Sequence, residues 1–189
     1  MEKRSRNAGA TRQAILDSSI AAFTRHGYNG VGVREIAAEA GVTAMLVNRY
    51  FGSKEGLFTE VVDVVFAPPT VVPVDAEAPV GMARTMAEAL VARTAIGAEH
   101  LGPFELMLKS AANPRAAEIV RAGIERHVGA RFEAALTGSD TRERAEIGLA
   151  VLAGIWLMRS VIATPALRDA QPHQLADRLS AMLAVVVEP

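Results

Sequence analysis

"VREIAAEAGVTAMLVNRYFGSK", residues 33–54, decides how the rest of the chain is read. Val33, Ile36, Ala37 and Ala40 recur at helical spacing with Arg34, Glu35 and Glu39 between them, so a two-turn helix buries one face and wets the other. Gly41 ends it, because glycine enters the left-handed conformation that closes a helix without a Cβ penalty. Thr43 then offers an N-cap oxygen to a further short helix that runs to about Tyr50. Two short helices around a glycine turn, the second amphipathic, make a helix-turn-helix pattern. On the second helix Val47 and Phe51 lie one turn apart and turn back on Phe23, Ile36 and Ala40. Ala44, Met45 and Asn48 are left on the opposite side.

The helical period continues outward in both directions. Thr11 to His26 places Ile15, Ser19 or Ile20, Ala22 and Phe23 on one face, with Thr11 as cap and Gly27 as terminator. Ser53 caps "KEGLFTEVVDVVF", whose Leu57, Phe58, Val61, Val62, Val65 and Phe66 form a broad apolar face. The stretch from Pro68 to Pro79 then holds four of the nine prolines, which no helix tolerates, so a loop stands at the seam. Further helices are expected at 81–98, 103–111, 114–136, 141–163 and 172–187. Asn113 before Pro114 is an N-cap ahead of a first-turn proline, Asp140 with Glu143 reads as a capping box, and Pro165 stops the long helix. No segment alternates as a strand does, and the fold class expected is all-α.

Composition narrows the function. Residues 1–54 hold eight Lys/Arg against four Asp/Glu and the remainder twelve against seventeen, a split of +4 in front and −5 behind. A basic front suits a polyanion partner. The absence of cysteine excludes disulfides, thiolate metal sites and cysteine nucleophiles. His26, His100, His127 and His173 are scattered without metal-site spacing, and no phosphate loop, nucleophile elbow or paired-carboxylate motif is present. Neither an enzyme nor a cofactor is therefore expected. The first residues lack the apolar run of a secretory signal, and Ile147 to Met158 is only twelve residues, short of the roughly 20 that cross a bilayer. The expectation is a cytoplasmic protein with no membrane partner.

The longer string "GYNGVGVREIAAEAGVTAMLVNRYFGSKEGLF", residues 27–58, resembles the DNA-binding domain of TetR-family transcriptional regulators. Gly27-Tyr28 carries the likeness, then Val33-Arg34-x-Ile36-Ala37-x-x-Ala40-Gly41-Val42, then Tyr50-Phe51-x-Ser53-Lys54-x-x-Leu57. Three positions depart from the family habit: Gly32 stands where a threonine is usual, Asn48 where a tyrosine is common, and Leu46 where a small or hydroxylated residue is common. The resemblance implies a helix-turn-helix DNA-binding domain at 1–54 with a basic N-terminal arm, linked by the fourth helix to a ligand-binding and dimerisation domain at 55–189. By family habit it implies a repressor, a double-stranded operator, a small-molecule effector and a homodimer.

The candidate DNA-binding residues are Arg34, Thr43, Ala44, Met45, Asn48, Arg49, Tyr50 and Lys54. Ala44 and Met45 suit thymine methyls, and Asn48 suits a bidentate pair with adenine. Tyr50 and Lys54 match family positions that hold phosphates. Arg34 and Arg49 either reach the nucleic acid or pair on the surface with Glu35 or Glu39. Lys3, Arg4 and Arg6 either follow a minor groove or form a solvated tail. For the second domain, Met86, Leu90, Phe104, Met107 and Trp156 are candidate lining of an apolar ligand pocket. Ala150 and Gly154, with small-x-x-x-small spacing, and the stripe Leu175, Leu179 and Met182 are candidates for a four-helix dimer interface. The competing reading is an all-α protein-interaction module whose basic front end binds a protein and reads no DNA sequence.

Overall fold

The computed structural model describes residues 2–73, 81–98 and 101–187, with side chains from Ala8 onward. Described residues form helices and turns without strands. The chain divides into two compact units, one made of Met1–Ala67 with Gly102–Gly123 and the other of Pro68–Leu101 with Ile124–Pro189. Packing thus parts the chain differently from the expected division after residue 54. The Lys54–Phe66 helix stays with the first unit, and Gly102–Gly123 returns to it.

The first unit holds α1 (Glu2–His26), α2 (Val33–Glu39), α3 (Ala44–Phe51), α4 (Lys54–Phe66), α6 (Gly102–Ser110) and α7 (Pro114–Gly123). Helix α1 begins at Glu2, ahead of the expected Thr11, so the stretch read as an arm is helical; the side chains of Lys3, Arg4 and Arg6 lie outside the described residues. Ile15, Phe23, Ile36, Val47, Leu57, Phe58 and Val61 are fully buried and make one core. Phe23 meets Phe58 edge-on with ring centroids 5.0 Å apart. The predicted punctuation holds at Gly27 and Gly41, whose φ values are +70° and +67°. It holds also at Ser53, whose hydroxyl accepts from Gly56 N at 3.1 Å, and at Asn113, whose Oδ1 accepts from Ala116 N at 2.9 Å. Lys109 donates to the Thr24 carbonyl at 3.0 Å, Tyr28 N to Ser110 Oγ at 3.1 Å, and Asn113 to Asn29 at 2.8 Å, which ties α6 and the start of α7 to the end of α1.

The second unit holds α5 (Met82–Arg93), α8 (Ala130–Ala135), α9 (Thr141–Trp156), α10 (Pro165–Arg168) and α11 (Pro172–Val187). Three expected helices end or change differently. The first stops at Arg93 rather than Ala98, since Thr94 turns its hydroxyl back to the Leu90 carbonyl at 2.7 Å and Gly97 takes a left-handed φ of +79°. The stretch 114–136 is interrupted by a π-helical turn at Ile124–Gly129, and α9 passes into another at Leu157–Val161. Asp140 precedes α9 but makes no side-chain capping bond, because its own left-handed backbone (φ +55°) turns it out of the capping geometry. The short α10 had no periodic signal to announce it.

Two arginines replace caps in this unit. Arg144 donates to the Val186 and Val187 carbonyls at the end of α11, at 2.8 and 2.9 Å. Arg159, only 4% exposed, donates to the Val91 carbonyl at 2.8 Å, to Thr94 Oγ1 at 2.6 Å and to the Leu167 carbonyl at 3.2 Å. Burial lowers its pKa from the ordinary arginine value. Cations at helix ends of this kind satisfy orphan carbonyls and oppose the negative end of the dipole.

Candidate nucleic-acid interface

Helix α3 divides by face as its sequence requires. Val47 and Phe51 are buried. Met45 is 78% exposed, Thr43, Asn48 and Arg49 are exposed, and Ala44, Leu46 and Tyr50 are half-buried. Gly41 and Gly52, both with positive φ, bracket the segment, and Val42 N returns to the Ala37 carbonyl at 2.9 Å. The turn is therefore held by backbone bonds rather than by side chains. Thr43 occupies the N-cap position with extended backbone and is exposed, but its hydroxyl makes no capping bond, which corrects the expectation.

Charges around α3 are arranged to stay available. Glu35 accepts the Gly32 N–H at 2.6 Å, the half of a capping box that glycine leaves possible, while the Glu35 N–H, which a threonine hydroxyl would accept, goes to the Gly32 carbonyl at 3.1 Å. Among the described residues, Arg34 and Arg49 form no ion pair with Glu35, Glu39 or any other carboxylate. The surface-pair alternative is thus unsupported. Arg12, one helix away, pairs with Glu60 and lies 4.9 Å over the Phe51 ring, clamping α1 to α3 and α4. Lys54 opens α4 half-buried; burial lowers its pKa from the ordinary lysine value, with Glu35 pulling the other way.

This geometry is matched by known proteins. Residues 15–61 fit the profile described as bacterial regulatory proteins, tetR family, and residues 81–187 fit the tetracyclin repressor-like C-terminal domain. The chain belongs to the TetR family. It is similar to the HTH-type transcriptional regulatory protein RaaS of Mycobacterium tuberculosis, 55% identical over 53 residues, which are 28% of this chain and 24% of that protein. It is similar also to the HTH-type transcriptional regulator RutR of Escherichia coli K12, 36% identical over 70 residues, 35% of this chain and 33% of that protein. The matches span about a quarter to a third of these curated relatives. Solved structures share the whole fold. A TetR-family regulator from Streptomyces coelicolor has TM-score 0.61 and 22% identity, covering 96% of each chain. The multidrug binding protein EbrR, complexed with proflavin, has TM-score 0.63 and 22% identity, covering 94% of this chain and 99% of its own.

The relatives matched by this chain are transcriptional regulators and not enzymes. No group of metal-ligating side chains occurs among the described residues, and His100 lies outside them. No described helix is long and apolar enough to cross a membrane.

The remaining candidates are dispersed. Met86, Leu90 and Trp156 are buried in the second unit, whereas Phe104 and Met107 are half-buried on α6 in the first, so the five do not fall within one compact unit. Leu175 and Leu179 are 4% and 2% exposed and belong to the core of the second unit, where α11 packs along α5. They do not lie on an outer face, because the i, i+4 stripe of α11 was needed inside. Ala150 and Gly154 on α9 are exposed, as are Ile147 and Met158 one turn to either side. On α11 the exposed large apolar side chains are Met182 at 52% and Val185 at 81%.

Proposed function

We propose that this TetR-family protein is a cytoplasmic homodimeric repressor that holds double-stranded operator DNA with α3 and releases it when a small-molecule effector binds in the C-terminal domain. One observation carries the DNA half of the reading: α3 buries Val47 and Phe51 while Met45, Asn48 and Arg49 project from a helix without ion pairs of its own. Ala44 and Met45 meet thymine methyls, Asn48 reads adenine, and Tyr50, Lys54, Thr43 and Arg34 contact phosphates. Repression is supported by the printed name of a relative, the HTH-type transcriptional repressor SCO4008 of Streptomyces coelicolor. Effector binding is supported by EbrR, whose fold this chain shares and which was crystallised with proflavin. Met86, Leu90 and Trp156 are the pocket candidates retained in the second unit.

The dimer reading rests on the exposed row Ile147, Ala150, Gly154 and Met158, joined by Met182 and Val185. Small residues in that row admit a close helix neighbour across a two-fold axis. Sedimentation at micromolar concentration is expected to give twice the chain mass of 20.0 kDa, and a monomer there would remove this part of the proposal.

Mobility shifts with DNA flanking the protein's own gene test the operator reading, which fails if binding is no tighter than to random duplex at low salt. Lys54→Ala is expected to weaken binding to every sequence and to reduce the salt slope by about one unit. Asn48→Ala is expected to relax preference at a single base position, by about 1–3 kcal/mol. Equal effects of the two on random DNA would show that the sorting into phosphate and base contacts is wrong.

A further inference from the structure

The Lys54 ammonium sits 4.4 Å from the centroid of the Tyr28 ring. That ring is itself fixed. It meets Phe58 edge-on at 4.9 Å and stacks on Phe23 at 6.1 Å, both fully buried, and the Tyr28 backbone N–H is held by Ser110 Oγ. Among the described residues Lys54 has no carboxylate within ion-pair distance. An aromatic face attracts a cation without neutralising it, and it occupies only one side of an ammonium that carries three donors. A carboxylate in the same place would instead compete with any phosphate for the charge.

We infer that Tyr28 is the positioning residue for Lys54: its ring seats the ammonium at the start of α4, so that the phosphate-binding cation is preset before DNA arrives. The inference rests on the proposed phosphate role of Lys54. A free lysine loses rotamer entropy when it is fixed on a phosphate, and a seated one has lost much of it on folding. Tyr28 therefore contributes to DNA affinity from outside the helix-turn-helix.

The test is a double-mutant cycle on DNA binding, read by fluorescence anisotropy across a salt series on both operator and random duplex. Tyr28→Phe keeps the ring and is expected to stay within about two-fold of wild type, whereas Tyr28→Leu weakens binding about three- to five-fold. In the Lys54→Ala background Tyr28→Leu has no further effect. Additive losses, or a Phe variant as weak as the Leu variant, would overturn the inference.

Should Tyr28→Leu fail to fold, the wild-type protein decides. Ring-current shielding must move the Lys54 ε-methylene protons upfield, both free and on DNA, and loss of that shift on binding would also overturn the inference. Because phosphate contacts are independent of sequence, coupling on random duplex tests the seat even where no operator preference is found. Failure of the operator reading and failure of this inference thus give different results.

Discussion

Gly27→Ala is expected to cost about 3 kcal/mol of unfolding free energy, the sum of left-handed strain of about 1–2 kcal/mol and a forced contact of similar size. The residue closes α1 with φ +70°, and a Cβ there would overlap the carbonyl oxygen of Lys109 on α6, a backbone atom without a rotamer by which to move away. Gly41 supplies the control. It has nearly the same backbone, φ +67°, but a Cβ would meet nothing within 4 Å, so Gly41→Ala is expected to cost only about 1 kcal/mol. Urea unfolding of the two variants separates the terms. If both lose the same amount, the contact between the end of α1 and α6 contributes nothing. Gly27 also precedes Tyr28, so its substitution is expected to disturb the seat of Lys54, whereas Gly41→Ala is not.

Arg159→Ala is expected to cost about 4 kcal/mol, because two carbonyls and a hydroxyl lose their donor and a cavity replaces the side chain. The acceptors, at Val91, Thr94 and Leu167, come from the end of α5 and from α10, so one guanidinium ties together the α9 continuation and both of those helices. Arg159→Lys keeps the charge but has a single nitrogen for acceptors that the guanidinium reaches from two, and it is expected to recover less than half of the loss. Arg168→Ala gives the contrast. That side chain pairs with its neighbour Asp169 at the surface, and its removal is expected to leave the urea midpoint unchanged. An Arg159→Ala variant within about 1 kcal/mol of wild type would show that water satisfies these acceptors equally well.

The residues of α3 show how far local pattern reaches. Spacing alone turns Val47 and Phe51 inward and Met45 and Asn48 outward, because a helix of known period has one buried face and the identity of its apolar residues says which. Helix ends at Gly27, Gly41, Ser53 and Asn113 were equally legible, since the signal and its consequence lie within four residues. Asp140 had the right spacing for a capping box and still failed, as its backbone is left-handed. Glu35 had the same spacing from Gly32 and succeeded.

The sequence by itself determined the all-α class, the helix-turn-helix and the sorting of α3 into core and outward faces, because each depends on interactions between residues near one another in the chain. Tertiary structure alone decided the rest. Leu175 and Leu179 form a stripe that could serve either a core or a partner, and only the presence of α5 against α11 turns it inward. Gly102–Gly123 joins the first unit through Lys109, Ser110 and Asn113, whose partners Thr24, Tyr28 and Asn29 lie some eighty residues earlier. Tyr28 beneath Lys54 is the same case. Nothing in the local pattern of either residue announces the other, since the cation and the ring are brought together by the packing of Phe23 and Phe58 between α1 and α4.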